Sequence, residues 1–230
     1  MARPLYFDYA ASTPVDPRVL RAMQPYFLEK FGNAGSLHSF GQAAIAALDR
    51  ARETTAGALG ADFREVIFTG SATEANNLAI RGIVHAYRKK IAGGVSEHKD
   101  DGAPRVIVSA IEHESVLETA RMLRAEGVDV VELPVDRNGA VRVVDLRATL
   151  TKETLLISIM YANNEIGTVQ NLHELTRVVK EFRNESGTRT AVNANAKQSV
   201  VPPFFHTDTA QAFQAAPVAA LAALLTRLAA

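Results

Sequence analysis

The hydrophobic pattern changes period along the chain. Val19, Met23 and Phe27 recur at helical spacing after Asp16-Pro17, where proline suits a first helical turn. Ala44, Leu48, Ala51 and Ala58 mark one face of a second amphipathic helix from about Phe40 to Leu59, with Gly60 as its stop. A short extended segment, Leu5 to Pro14, comes first, and the turn-like Gly32-Asn33-Ala34-Gly35-Ser36 separates the two helices. From Arg64 onward, apolar runs of strand length alternate with helical periods. The predicted strands are Val66–Thr69, Val106–Ala110, Val128–Leu133, Leu155–Tyr161 and Phe204–Thr207, and the predicted helices are Thr73–Lys90, Ser115–Glu126 and Leu172–Asn184. This alternation predicts an α/β fold with a mostly parallel sheet flanked by helices. Gly93-Gly94 to Asp100-Asp101-Gly102 and Asn193-Ala194-Asn195 read as surface loops. From Ala212 to Ala230 the chain turns to alanine and leucine with one charge, Arg227, and Pro217 opens a predicted short apolar helix.

Composition narrows the classes. The 230 residues, 47% of them hydrophobic, suffice for one large domain or two small ones. Lysine plus arginine and aspartate plus glutamate balance at 25 each with no basic tract, which argues against a nucleic-acid partner. No apolar run reaches the roughly 18 residues of a membrane span, and no signal-peptide pattern opens the chain, so a cytoplasmic protein without a membrane partner is expected. These residues include no cysteine, which excludes disulfides, thiolate metal sites and a cysteine nucleophile among them. The six histidines show no ligand spacing, so no metal site is expected.

Four strings could carry chemistry. Gly70-Ser71-Ala72-Thr73 falls between a predicted strand and helix, where free N–H groups and two hydroxyls can cup an anion; a threonine-capped structural turn looks the same. His113 follows a strand at its carboxyl end, where open α/β sheets place ligands, though an imidazole between Glu112 and Glu114 is also an ordinary surface feature. Asn163 and Asn164 end another strand, where an amide can donate without titrating and where turns also favour asparagine. Asp208 closes the apolar run of Val200, Val201, Phe204 and Phe205, either to hold a cationic group or to cap the next turn.

Read together and in order, Tyr6 to Asp16, Gly32 to His38, Gly70 to Glu74, Glu112-His113-Glu114-Ser115-Val116, Asn163-Asn164-Glu165-Ile166-Gly167 and His206-Thr207-Asp208-Thr209-Ala210-Gln211 resemble the cysteine desulfurases of the class V aminotransferase family. Ala34 stands where that family usually has proline. The resemblance covers nearly the whole chain, from about Tyr6 to about Gln214, and the Asn163–Gly167 string is similar to the branch that serves iron-sulfur cluster assembly.

That resemblance implies the N-terminal part of a fold type I large domain that binds pyridoxal 5'-phosphate. Residues 1–40 would be an N-terminal segment and helix, 41–211 a partial cofactor-binding domain, and 212–230 an apolar tail. Ser71, Ala72 and Thr73 would hold the phosphate. His113 would stack on the pyridine ring and shuttle protons as the catalytic residue, with Asn164 and Gln211 near the phenolic oxygen. Asp208 would face the ring nitrogen, where a carboxylate keeps the ring an electron sink. L-cysteine is the implied substrate and alanine a product, with a homodimer and a sulfur-acceptor or scaffold protein as partners. None of Lys30, Lys89, Lys90, Lys99, Lys152, Lys180 or Lys197 matches the family's Schiff-base lysine, and no cysteine is available for its persulfide, so these residues alone are expected to be inactive. The family sheet has seven strands, with Val66–Thr69 expected to pair with a strand beyond residue 230. Two alternatives stay open: a non-catalytic protein that keeps the cofactor cup and binds a partner subunit, and another class V enzyme such as a selenocysteine lyase or an aminotransferase.

Overall fold

A computed structural model describes residues 5–92, 102–186 and 202–213. It divides into two compact units, one ending at Ile67 and the other beginning at Phe68. The first unit holds α1 (Pro17–Met23), α2 (Pro25–Leu28), α3 (Ser39–Leu59) and a 3-10 turn at Phe63–Glu65. Local polar contacts define its helix ends. The Asp16 carboxylate accepts from the Arg18 N–H at 2.7 Å to cap α1, and His38 Nδ1 accepts from the Gly41 N–H at 3.3 Å to cap α3. Gly60 ends α3 in the left-handed region at φ 66°, the stop its position predicted.

The second unit is built on four parallel strands, β1 (Arg105–Ser109), β2 (Asp129–Leu133), β3 (Thr154–Ser158) and β4 (Phe204–His206), in the order β2-β1-β3-β4. The helices are α4 (Ala72–Ala92), α5 (Glu114–Ala125), α6 (Val143–Thr149) and α7 (Leu172–Glu185). Strand alternation sorts the core into two layers. Val106 and Val108 pack with Ile80 and Val84 of α4 and Val116, Ala120 and Leu123 of α5. Ile107 and Ile157 pack on the other face with Leu146 of α6 and Leu175, Val178 and Val179 of α7. Both faces of β1 and β3 are covered, which is why these strands are continuous apolar runs. The expected α/β class with a parallel sheet flanked by helices is present.

Three expectations change. Val66–Thr69 is not a strand: it has no ladder partner among the described residues, and Ile67 is 70% exposed. Extended backbone becomes a strand only when a neighbour takes its N–H and C=O groups, and the partner strand expected for it is one beyond residue 230. The regular strand β3 stops at Ser158 rather than Tyr161, although the Ile159 and Tyr161 N–H groups still donate to the carbonyls of His206 and Asp208 at 3.1 and 3.0 Å. The helix read from Val19, Met23 and Phe27 is divided at Gln24 into α1 and α2, and α6, a 7-residue helix with Leu146 as its buried residue, escaped the pattern. The Asn193 loop, residues 93–101 of the other predicted loop and the Pro217 helix lie outside the described residues.

Candidate cofactor site

Going from β1, the chain crosses through α5 to β2 on one side, then returns through α6 to β3 on the other. The strand order therefore reverses at β1, and the crevice beyond the carboxyl ends of β1 and β3 is where open α/β sheets seat their ligands. His113 and Glu112 follow β1, Asn163 and Asn164 follow β3, and Asp208 follows β4.

Asp208 is half-buried and anchored at three points. Its Oδ1 accepts from the Ala210 N–H at 2.9 Å, its Oδ2 accepts from Asn76 Nδ2 at 2.9 Å, and its backbone carbonyl accepts from Tyr161 N–H at 3.0 Å. A carboxylate offers about four lone-pair directions, so two side-chain bonds leave capacity for an external donor. His113 is the N-cap of α5: its Nδ1 accepts from the Ser115 N–H at 3.1 Å and lies 2.9 Å from Ser115 Oγ. The residue is exposed.

At the start of α4, the helix N-cap is Ser71 rather than Thr73. Ser71 Oγ accepts from the Glu74 N–H at 3.1 Å, and the Glu74 carboxylate reaches back to the Gly70 N–H at 2.7 Å. This capping box uses two of the donors, and it places a carboxylate beside the proposed cup. Among the described residues the N–H groups of Ala72 and Thr73 have no protein acceptor, and a helix of 21 residues adds its positive end to them. Unused helix donors, an anchored carboxylate and an exposed imidazole fit the phosphate, the cationic ring nitrogen and the ring face of pyridoxal phosphate.

Asn163 folds the loop that presents Asn164. Its Oδ1 accepts from the Glu165 and Ile166 N–H groups at 2.9 and 3.0 Å, and its Nδ2 donates to the Ile111 carbonyl at 3.0 Å, tying the loop after β3 to the loop after β1. Gly167, at φ 73°, lets this turn close. Asn164 is half-buried and Gln211 exposed; neither is joined by a side-chain hydrogen bond to Asp208 or His113.

A polar cluster that sequence reasoning missed lies behind these residues. Glu112, 5% exposed, accepts from Ser109 Oγ at 2.6 Å, from the Met160 N–H at 2.5 Å and from Ser158 Oγ at 3.0 Å. Ser158 Oγ also lies 2.9 Å from His206 Nδ1, so one buried carboxyl joins the ends of β1, β3 and β4. Burial pushes the Glu112 carboxyl above its ordinary range despite its donors, and removal from water pushes the His206 imidazole below its own. Ser109 and Ser158, polar residues closing strands that are otherwise apolar, were the available signal.

The fold defines an α/β protein whose candidate residues gather at the carboxyl ends of a parallel sheet. The chain belongs to the aminotransferase class-V family, whose model matches residues 5–196. It is 44% identical over 182 residues to the cysteine desulfurase IscS of Dictyoglomus turgidum, a match covering 79% of this chain and 43% of that one. A NifS-like protein of solved structure aligns with a TM-score of 0.75 at 34% identity, covering 90% of this chain and 49% of that one. A structure described as SspA in complex with cysteine aligns with a TM-score of 0.71 at 35% identity, covering 90% and 51%. The chain spans about half the length of these relatives. Among the described residues no helix is long and apolar enough to cross a membrane, and no cluster could hold a metal ion.

Proposed function

We propose that this chain is the cofactor-facing part of a pyridoxal-phosphate-dependent cysteine desulfurase, which moves sulfur from L-cysteine to an acceptor and releases alanine. The observation that carries this is Asp208, fixed through both carboxylate oxygens at the carboxyl ends of the strands with capacity left for one more donor. When bound, the cofactor supplies an electron sink for bond cleavage at the substrate α-carbon. Asp208 would hold the proton on the ring nitrogen. His113 would cover the ring face and carry protons at Nε2, since Nδ1 is occupied as a helix cap. Ala72 and Thr73 N–H groups, with the Ser71 and Thr73 hydroxyls, would bind the phosphate, and Asn164 and Gln211 would reach the phenolic oxygen.

Two catalysts that the mechanism requires, a lysine downstream of Asp208 and a cysteine, are not among these 230 residues. We therefore assign cofactor and substrate binding to this stretch, and place covalent catalysis on residues outside it. With this reading we propose a sulfur-acceptor or scaffold protein as partner and assembly as a homodimer, both implied by the family, and a cytoplasmic location. The test is alanine release from L-cysteine with pyridoxal phosphate present. The 230-residue chain alone should give none, and the chain joined to a polypeptide carrying that lysine and cysteine should give one alanine per persulfide formed on that cysteine, with the sulfur released as sulfide when a dithiol reductant is added. Turnover by the 230 residues alone would overturn the division of labour. Silence in the joined protein despite bound cofactor would overturn the desulfurase reading.

A further inference from the structure

Asn76 has so far entered only as one anchor of Asp208, yet it is 5% exposed and joins two of the candidate groups. Its amide nitrogen has two protons and two acceptors: Asp208 Oδ2 at 2.9 Å, 132 residues away, and Ser115 Oγ at 2.9 Å. The polarity of this chain of bonds follows from what each group can do. The Asp208 carboxylate only accepts, so the amide nitrogen rather than its oxygen must face it. At the other end, the Ser115 backbone N–H can only donate, so His113 Nδ1 is the acceptor and the ring proton sits on Nε2. Ser115 Oγ accepts from Asn76 and is therefore free to give its own proton to His113 Nδ1 at 2.9 Å. His113 Nδ1 has a single in-plane lone pair, so the Ser115 N–H and Oγ–H share it.

We infer that Asn76, with Ser115, is a positioning residue that holds Asp208 toward the cofactor's ring nitrogen and locks His113 as the Nε2–H tautomer, so that the two cofactor-facing groups are set by one buried amide. The inference rests on the proposed cofactor reading for its purpose and on geometry alone for its existence. Because Oδ1 of Asp208 is held by a neighbouring backbone N–H, losing the Asn76 bond frees the carboxylate to rotate without unfolding the turn.

The test pairs a protein substitution with a change in the cofactor. Asn76→Ala should weaken pyridoxal phosphate binding by about tenfold, the worth of one hydrogen bond to a charged group. An analogue with carbon in place of the ring nitrogen should bind the wild type and Asn76→Ala equally, since Asp208 then has nothing to hold. Equal losses with both ligands would show a merely structural role and overturn the inference. A readout on the cofactor-free chain separates the two proposals. In nuclear magnetic resonance spectra the Asn76 amide should give two resolved, exchange-protected protons, one shifted by Asp208→Ala and the other by Ser115→Ala. Protected, responsive protons in a chain that binds no cofactor would sink the functional reading and leave the bridge standing. Degenerate or rapidly exchanging protons would overturn the bridge whatever the chain binds.

Discussion

The two units bury their apolar residues to different degrees, and the difference explains which of them can carry a site. In the second unit Val106, Ile107, Val108, Leu156 and Ile157 are fully enclosed, and Glu112 and Asn76 are held among them at fixed distances. In the first unit the buried positions among the described residues are Gly41 and Ala56, while Phe7, Leu28 and Leu37 are 87%, 80% and 92% exposed. Its helix ends are set by local caps, and Arg52 Nε donates to the Val66 carbonyl at 3.3 Å. A polar constellation needs a packed scaffold to keep each group in place, since an unfixed side chain loses in rotamer entropy what a single hydrogen bond returns. The second unit has that scaffold, and all the candidate cofactor residues lie on it.

The contrast is broken most severely in the core. Ile157→Ala should destabilise the second unit by about 2–5 kcal/mol in urea denaturation, because the cavity opens between fully covered layers. Leu20→Ala in α1, where the side chain is 56% exposed, should change stability by less than about 0.5 kcal/mol. Similar costs at the two positions would mean that the first unit is covered by something that buries Leu20.

The first unit should instead respond to its backbone. Gly60→Ala, at φ 66° with open space around the new methyl, should cost about 1–2 kcal/mol through the left-handed conformation alone, read as faster amide exchange in the last turns of α3. Unchanged exchange there would show that α3 does not depend on its glycine cap.

A pH-dependent effect belongs to the second unit. The Glu112 carboxyl is pushed above its ordinary 4.5 by burial, so the folded state prefers it protonated. Its contribution is fully present below pH 4.5 and is lost as pH rises through the folded value. Glu112→Gln keeps the uncharged form and can still meet Ser109, Ser158 and Met160. Its stability relative to the wild type should therefore grow as pH rises from 4.5. His206 acts in the opposite sense: its lowered value gives stability present above 6.5 and lost as pH falls through the folded value. A stability difference between Glu112→Gln and wild type that stays flat from pH 4 to 8 would contradict the burial argument.

Much of the second unit was legible in the sequence, because strand-length apolar runs and amphipathic helices of 12 to 21 residues impose their periods on the chain. The four described strands were readable for that reason, and in the first unit Asp16-Pro17 and Gly60 were readable as helix start and stop signals. Val66–Thr69 misled because composition suits a strand while pairing is a tertiary fact that no local pattern contains. The site was legible unevenly. His113 and Asp208 stand in strings that resemble a known family, and both lie in one chain of hydrogen bonds. Asn76 did not stand out, because an asparagine on a helix has no local sign that its partner lies 132 residues away. Glu112 entered only as part of the string around His113, and nothing local shows that its side chain turns inward to Ser109 and Ser158.

The central claim is that Asp208 is held ready for a protonated ring nitrogen, and an absorbance titration with pyridoxal phosphate tests it most directly. The wild-type chain should bind at one site per chain with saturation, and Asp208→Ala should bind at least tenfold more weakly, the loss of roughly 1.5–3 kcal/mol from a charge-assisted hydrogen bond. Equal affinity in the two proteins, or no saturable binding in the wild type, would contradict the account.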